Sequence, residues 1–264
     1  MPYDRKAWLA SLRAENRPQG YFFTHARFTP DDLLRDPADY QGQEAICISC
    51  TQLADESEQK RLVRAWAVAL PTLANLRRVH FTSRFPNSLL APLCRMTWLE
   101  ELSIKWSGLK DIGPIQNLVN LKALDIGSSP SISNPETIGK LAQLKRLRIE
   151  NVRAVYDLGW IGDMPQLDQL GVEGSMWSVQ KVEAITPLKR LAALNRLSMV
   201  GAKIKDRRSL MDIAEMPSLQ VFDTTWNWPK GALRRLVDAR PDLWVNGQRG
   251  PEWQDLEDRV MDLS

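Results

Sequence analysis

Leu144-Lys145-Arg146-Leu147-Arg148-Ile149-Glu150 decides how this chain is read. Leu147 and Ile149 alternate with Arg146, Arg148 and Glu150, so one face of a short strand is apolar and the other charged. The same phrase, L-x-x-L-x-[LIVM], recurs at Leu99-Leu102-Ile104, Leu121-Leu124-Ile126, Leu167-Leu170-Val172 and Leu194-Leu197-Met199. Looser copies stand at Leu76-Val79-Phe81 and Leu219-Phe222-Thr224. Their starts are spaced 23, 22, 23, 23, 27 and 25 residues. A period in the twenties marks a stacked solenoid, in which no unit buries its own apolar face and neighbours share one continuous core.

Outward from the strands, the chain must return along the opposite side. The best-formed return runs Leu109 to Leu121, with Ile112, Pro114, Ile115 and Leu118 between. This phrase, held in phase over about residues 73 to 245, resembles the leucine-rich repeats of the internalin-like and phosphatase-regulator subclass. The resemblance implies an α/β solenoid with a parallel sheet on the concave side and short helices or 3-10 turns on the convex side. It also implies Asn at the ninth position of each copy, tying adjacent turns together. Here that column reads Ser107, Ser129, Val152, Ser175, Ala202 and Asn227, and Val and Ala cannot make such a bond. Two later returns, Trp177 to Leu191 and Lys230 to Ala239, are long enough for true helices.

An eighth strand is predicted at Ile46-Cys47-Ile48-Ser49, before the series. It is followed by an amphipathic helix through Leu62, Val63, Trp66, Ala69 and Leu70, with Asp55, Glu56 and Glu58 at its favourable end and Pro71 as its stop. A last edge strand is placed near Trp244-Val245-Asn246. The expected division is a helical N-terminal cap over 1–42, the repeats over 43–246, and a tail or capping helix over 247–264. The start, Met1-Pro2-Tyr3-Asp4-Arg5-Lys6, has no apolar signal core, and three cysteines without framework spacing point to a reducing cytoplasm. No stretch approaches a membrane span.

The net charge is +3, and residues 251–264 contribute −4 of it. On the outward strand positions five basic residues (Arg78, Lys105, Arg146, Arg148 and Arg196) oppose five acidic ones (Glu101, Asp125, Glu150, Glu173 and Asp223). A phosphate backbone calls for a stripe of one sign. This mosaic suits a protein of mixed charge instead.

Catalytic and metal patterns are weak. Cys47-Ile-Ser-Cys50 is a lone C-x-x-C, and residues three apart on a strand face opposite sides, so neither metal nor disulfide is expected there. Cys94, between Leu93 and Met96, reads as a core filler. His25 and His80 have no nucleophile or carboxylate at a motif spacing, and no glycine loop cradles a phosphate. The expectation is therefore a chain that is not an enzyme and needs no cofactor.

Ten tryptophans are the unusual abundance. Trp66 reads as the core face of its helix, and Trp160 and Trp244 as buried. Trp106, Trp226 and Trp228 stand where strands leave for loops, as core lids or as contact anchors, and Trp177 stands in the equivalent loop of its own copy. The expected contact surface is His80 and the ten concave charges, with Trp106, Trp226 and Trp228 on the rim. The expected role is a monomeric protein-binding module, an intracellular inhibitor or adaptor such as an immunity protein neutralising a toxin. The alternatives are an exported bacterial effector or a regulatory subunit of a phosphatase. Nucleic acid and membrane are not expected as partners.

Overall fold

The computed structural model describes residues 33–225 and 227–247. Its main element is a parallel sheet of ten strands that lie side by side in chain order, with two further strands left to a separate small sheet. The repeat phrases form β3 (Arg78–Phe81), β4 (Glu101–Ile104), β5 (Ala123–Ile126), β6 (Arg146–Glu150), β7 (Gln169–Glu173), β9 (Arg196–Met199) and β11 (Val221–Thr224). The predicted extra strands are present as β2 (Ala45–Ile48) and β12 (Trp244–Val245). One more, β1 (Leu33–Leu34), pairs with β2 inside the segment assigned to the cap. The rest of the expected cap, with His25, and the tail helix lie outside the described residues.

The leucine columns carry the core. Leu76, Leu99, Leu121, Leu144, Leu167, Leu194 and Leu219 are all fully buried. Each closes the turn beneath it through its own N–H, as Leu121 does to Leu118 O at 2.9 Å and Leu144 to Leu141 O at 3.0 Å. Leu124, Leu147 and Leu170 stack in register across β5, β6 and β7. Burial of such a side chain stabilises by about 1.5–3 kcal/mol.

The convex side is built mostly of 3-10 turns, among them Gly113–Asn117, Pro135–Lys140 and Arg207–Glu215. Prolines open several of them, because the fixed φ suits a first helical position that needs no donor. The helix Glu56–Ala69 forms as expected. Asp55 caps it by accepting from Ser57 N at 2.8 Å and Glu58 N at 3.2 Å, and it buries Leu62 and Trp66. The indole of Trp66 donates to Arg35 O at 2.8 Å, which fastens the segment after β1.

Of the two long returns, one is helical, at Ala232–Ala239. The other is not. Trp177 to Leu191 holds β8 (Gln180–Val182) and the 3-10 turn Thr186–Arg190. Its β-branched residues Val179, Val182, Ile185 and Thr186 and the interior Pro187 disfavour a helix. β8 pairs with β10 (Ala202–Ile204) of the next copy as a separate two-stranded parallel sheet.

Candidate functional site: the concave face

The strand register sets the concave side chains in rows. One row runs Arg78, Glu101, Ala123, Arg146, Gln169, Arg196 and Val221. The next runs Cys47, His80, Ser103, Asp125, Arg148, Gly171, Ser198 and Asp223. Equal numbers of opposite charges on one face leave open which pair with which, and the rows settle it.

Arg148 is the hub. Its guanidinium reaches Asp125 at 3.0 Å on the preceding strand, Glu150 at 2.9 Å on its own and Glu173 at 2.8 Å on the following one. Gly171 makes this possible, since a Cβ there would lie 3.1 Å from Arg148 Cγ. The carboxylates have further donors. Ser103 Oγ donates to Asp125 at 3.0 Å, and Ser198 Oγ donates to Glu173. The Arg148 side chain is 17% exposed and that of Asp125 only 4%, so solvent screens this cluster weakly. Burial alone disfavours the Arg148 charge, but the three carboxylates outweigh it and hold its pKa above the ordinary value. Burial also raises the Glu150 pKa, against the pull of Arg148.

Two more pairs flank the hub. Arg146 crosses over the small Ala123 to Glu101 at 2.7 Å, and Arg196 meets Asp223 at 2.8 Å. Arg78 and Lys105 make no ion pair with a described residue, so the free positive charge lies toward the N-terminal strands. His80 is buried, at 7% exposure, beside Cys47 in the register.

On the rim, Trp106 is 37% exposed, with the Arg84 guanidinium 5.6 Å from its ring centroid. Trp228 is a lid. It packs on the core and its indole donates to Thr224 Oγ1 at 3.0 Å. Trp226 lies outside the described residues. Trp160 and Trp244, read as buried, are only partly so.

The ninth-position ladder is kept by other means. Ser107 and Ser129 join through their hydroxyls at 2.8 Å. Val152 has no polar side chain, so Gln180 of the next copy takes over. Its Oε1 accepts from Val152 N at 3.0 Å and its Nε2 donates to Val155 O at 2.8 Å, with the side chain buried. Asn227 donates to Ala202 O at 3.0 Å. No sequence column marked Gln180, because its role depends on the fold of the longer return.

The two sulfurs of the C-x-x-C point apart, with Cys47 in the concave row and Cys50 in the core. Burial pushes the thiol pKa of Cys50 up to about 11 and that of Cys94 up to about 12. Only the thiolate reacts. Native protein at pH 8 is therefore expected to keep Cys50 and Cys94 unlabelled by iodoacetamide, and denatured protein to label them. Fast native labelling, read by peptide mass, would contradict the burial.

Among the described residues no helix is long and apolar enough to cross a membrane, and no three His, Cys, Asp or Glu gather as a metal site. No protein-family model matches the sequence, and no curated protein matches it. Solved structures do. An internalin (inlF) from Listeria monocytogenes str. 4b F2365 is similar, at 17% identity and a TM-score of 0.53, over 79% of this chain and 62% of that one. Internalin C2 (inlC2) of the same strain is similar at 20% identity and a TM-score of 0.52, over 79% of this chain and 82% of that one. The chain thus spans less than two thirds of the first. At these identities the likeness speaks for the fold alone, and with the leucine columns and the parallel sheet it identifies the chain as a leucine-rich repeat solenoid.

Proposed function

We propose that this solenoid is a non-enzymatic protein-binding module that holds its partner on the concave face. Its role is that of a cytoplasmic inhibitor or adaptor, and an immunity protein neutralising a toxin is the form that fits best. The observation that carries the reading is the ion network around Arg148. It fixes a broad charged surface in advance, so a partner meets side chains already ordered. Arg78, Lys105 and the half-exposed Trp106 lie on the same face and rim, and aromatic and arginine side chains most often dominate interface energy. Small ligands prefer enclosed apolar pockets, unlike this open polar sheet.

The test is recovery of the partner from the native cell by pull-down and mass spectrometry, then measurement on the purified complex. Trp106→Ala is expected to weaken binding by roughly 2 kcal/mol, or about thirtyfold, with the melting temperature unchanged. Glu150→Lys should act through mispaired charge against Arg148 and the partner together. A partner that binds both variants as tightly as the native chain would refute the concave site. Tight binding to a DNA or RNA oligonucleotide, with a steep salt dependence, would refute the class of partner.

A further inference from the structure

The two most exposed large apolar side chains among the described residues are neighbours. Met176 is 86% exposed and Trp177 is 88% exposed. They form the tip of a turn between Ser175 and Ser178, held on every side. Ser175 N donates to Ser178 O at 2.8 Å, Ser178 N donates back to Ser175 O at 3.4 Å, and Ser175 Oγ accepts from Trp177 N at 3.3 Å. Below the tip, Gly174 N donates to Val200 O at 2.9 Å and Gln180 N to Gly201 O at 3.1 Å. The backbones of Gly174 and Gly201 touch so closely that a Cβ on Gly174 would sit 2.3 Å from Gly201 O. Gly201 itself has φ of +70°, which a side chain would strain. The tip is thus presented by a braced backbone, and a partner that covers it loses little conformational entropy in doing so.

A second irregularity adjoins the first. Lys181 on β8 pairs in register with Lys203 on β10, and both are exposed. Like charges directly opposite on a sheet are destabilising. Neither lysine makes an ion pair with a described residue, whereas nearby Lys205 meets Glu183 at 3.1 Å. Arg153, from the preceding copy, is exposed and lines a shallow recess with Lys181, Asn151, Gln180, Ser178 and the half-exposed Val179. Three copies in succession therefore present a cation beside an apolar tip. An exposed apolar tip and a like-charge pair both break local rules of stability, as surfaces in use do.

We propose that this edge, formed by the 175–178 turn with Arg153, Lys181 and Lys203, is a second docking surface, for an acidic protein segment bearing an aromatic or long aliphatic side chain. The apolar side chain lies against Trp177 and Met176, and its carboxylates meet the three cations. The recess favours a peptide over a lipid surface, because a protruding side chain can fill a hollow that a flat bilayer leaves empty. The surface lies on the loops that follow the concave strands, after β7 and β9, and the proposal stands whether or not a partner engages the concave face.

The experiment is selection of a random peptide library displayed on phage against the full chain, with binding of synthetic winners measured by fluorescence polarisation. Selected peptides should carry excess Asp and Glu around an apolar residue. Trp177→Ser, and separately the pair Lys181→Glu with Lys203→Glu, should each weaken them about tenfold or more, at unchanged melting temperature. The concave variant Trp106→Ala should leave them unaffected, which keeps this result distinct from that of the concave reading. Winners without acidic excess, winners that ignore both changes, or no enrichment at all would overturn the proposal. So would Trp177-dependent binding to phosphatidylserine vesicles or to a single-stranded oligonucleotide in place of the peptides.

Discussion

Arg148→Ala is expected to destabilise the folded chain by about 3–5 kcal/mol, the range for removing one partner of a buried ionic group. The substitution leaves Asp125, Glu150 and Glu173 crowded over Gly171 without their shared cation, while the hydroxyls of Ser103 and Ser198 still donate to two of them. Stability would be read by urea unfolding as a drop in midpoint at unchanged slope. Arg148→Met combined with Asp125→Asn and Glu173→Gln should recover most of the loss, since it removes the repulsion along with the attraction. A midpoint equal to that of the native chain for Arg148→Ala would mean that solvent already screens the cluster. The large expected cost also makes Arg148 a poor probe of binding, although sequence alone marks it as a contact residue. Trp106, which none of these ion pairs includes, serves better.

Leu147→Ala is expected to cost about 2–5 kcal/mol, from lost transfer energy and from the cavity left behind. Leu147 is fully buried between Leu124 and Leu170, so the cavity would open at the join of two copies. In a stacked array, stability is a sum of unit terms and nearest-neighbour terms. The damage therefore reaches the copies on both sides, and the whole described array is expected to unfold earlier in one transition. Leu124→Ala should behave alike. A loss no greater than the 0.5 kcal/mol or so of an ordinary surface change would contradict the shared core.

The fold could be read from the sequence because the leucine period is a packing requirement repeated seven times. One slip in phase would have exposed a whole column. Site details had no such redundancy. That Arg148 gathers three acids depends on the absence of a side chain at Gly171, in an outward row that the leucine period leaves unspecified. A count of five charges against five carries no information on pairing. Trp177 stood out in the sequence as a loop aromatic, but its exposure follows from the Gly174–Gly201 contact, which joins residues 27 apart. The misread return at Trp177–Leu191 has the same root. Length alone suggested a helix, while β-branched residues and the partner strand β10 chose an extended path.

Among the described residues, the outermost strands of the main sheet are two residues long, against four or five in the strands between. At the far end the side chain of Asn246, at φ of +51°, accepts from Thr224 N at 2.7 Å. It thereby occupies a main-chain donor that another strand would have taken. At the near end Asp36 and Pro37 turn the chain aside directly after β1, and proline has no N–H to offer. A parallel sheet of this kind could otherwise grow without limit by adding chain after chain along its hydrogen-bonding direction. Shortened edges and a side chain in place of a backbone partner remove the template for such growth, and so guard the open-ended stack against fibre formation.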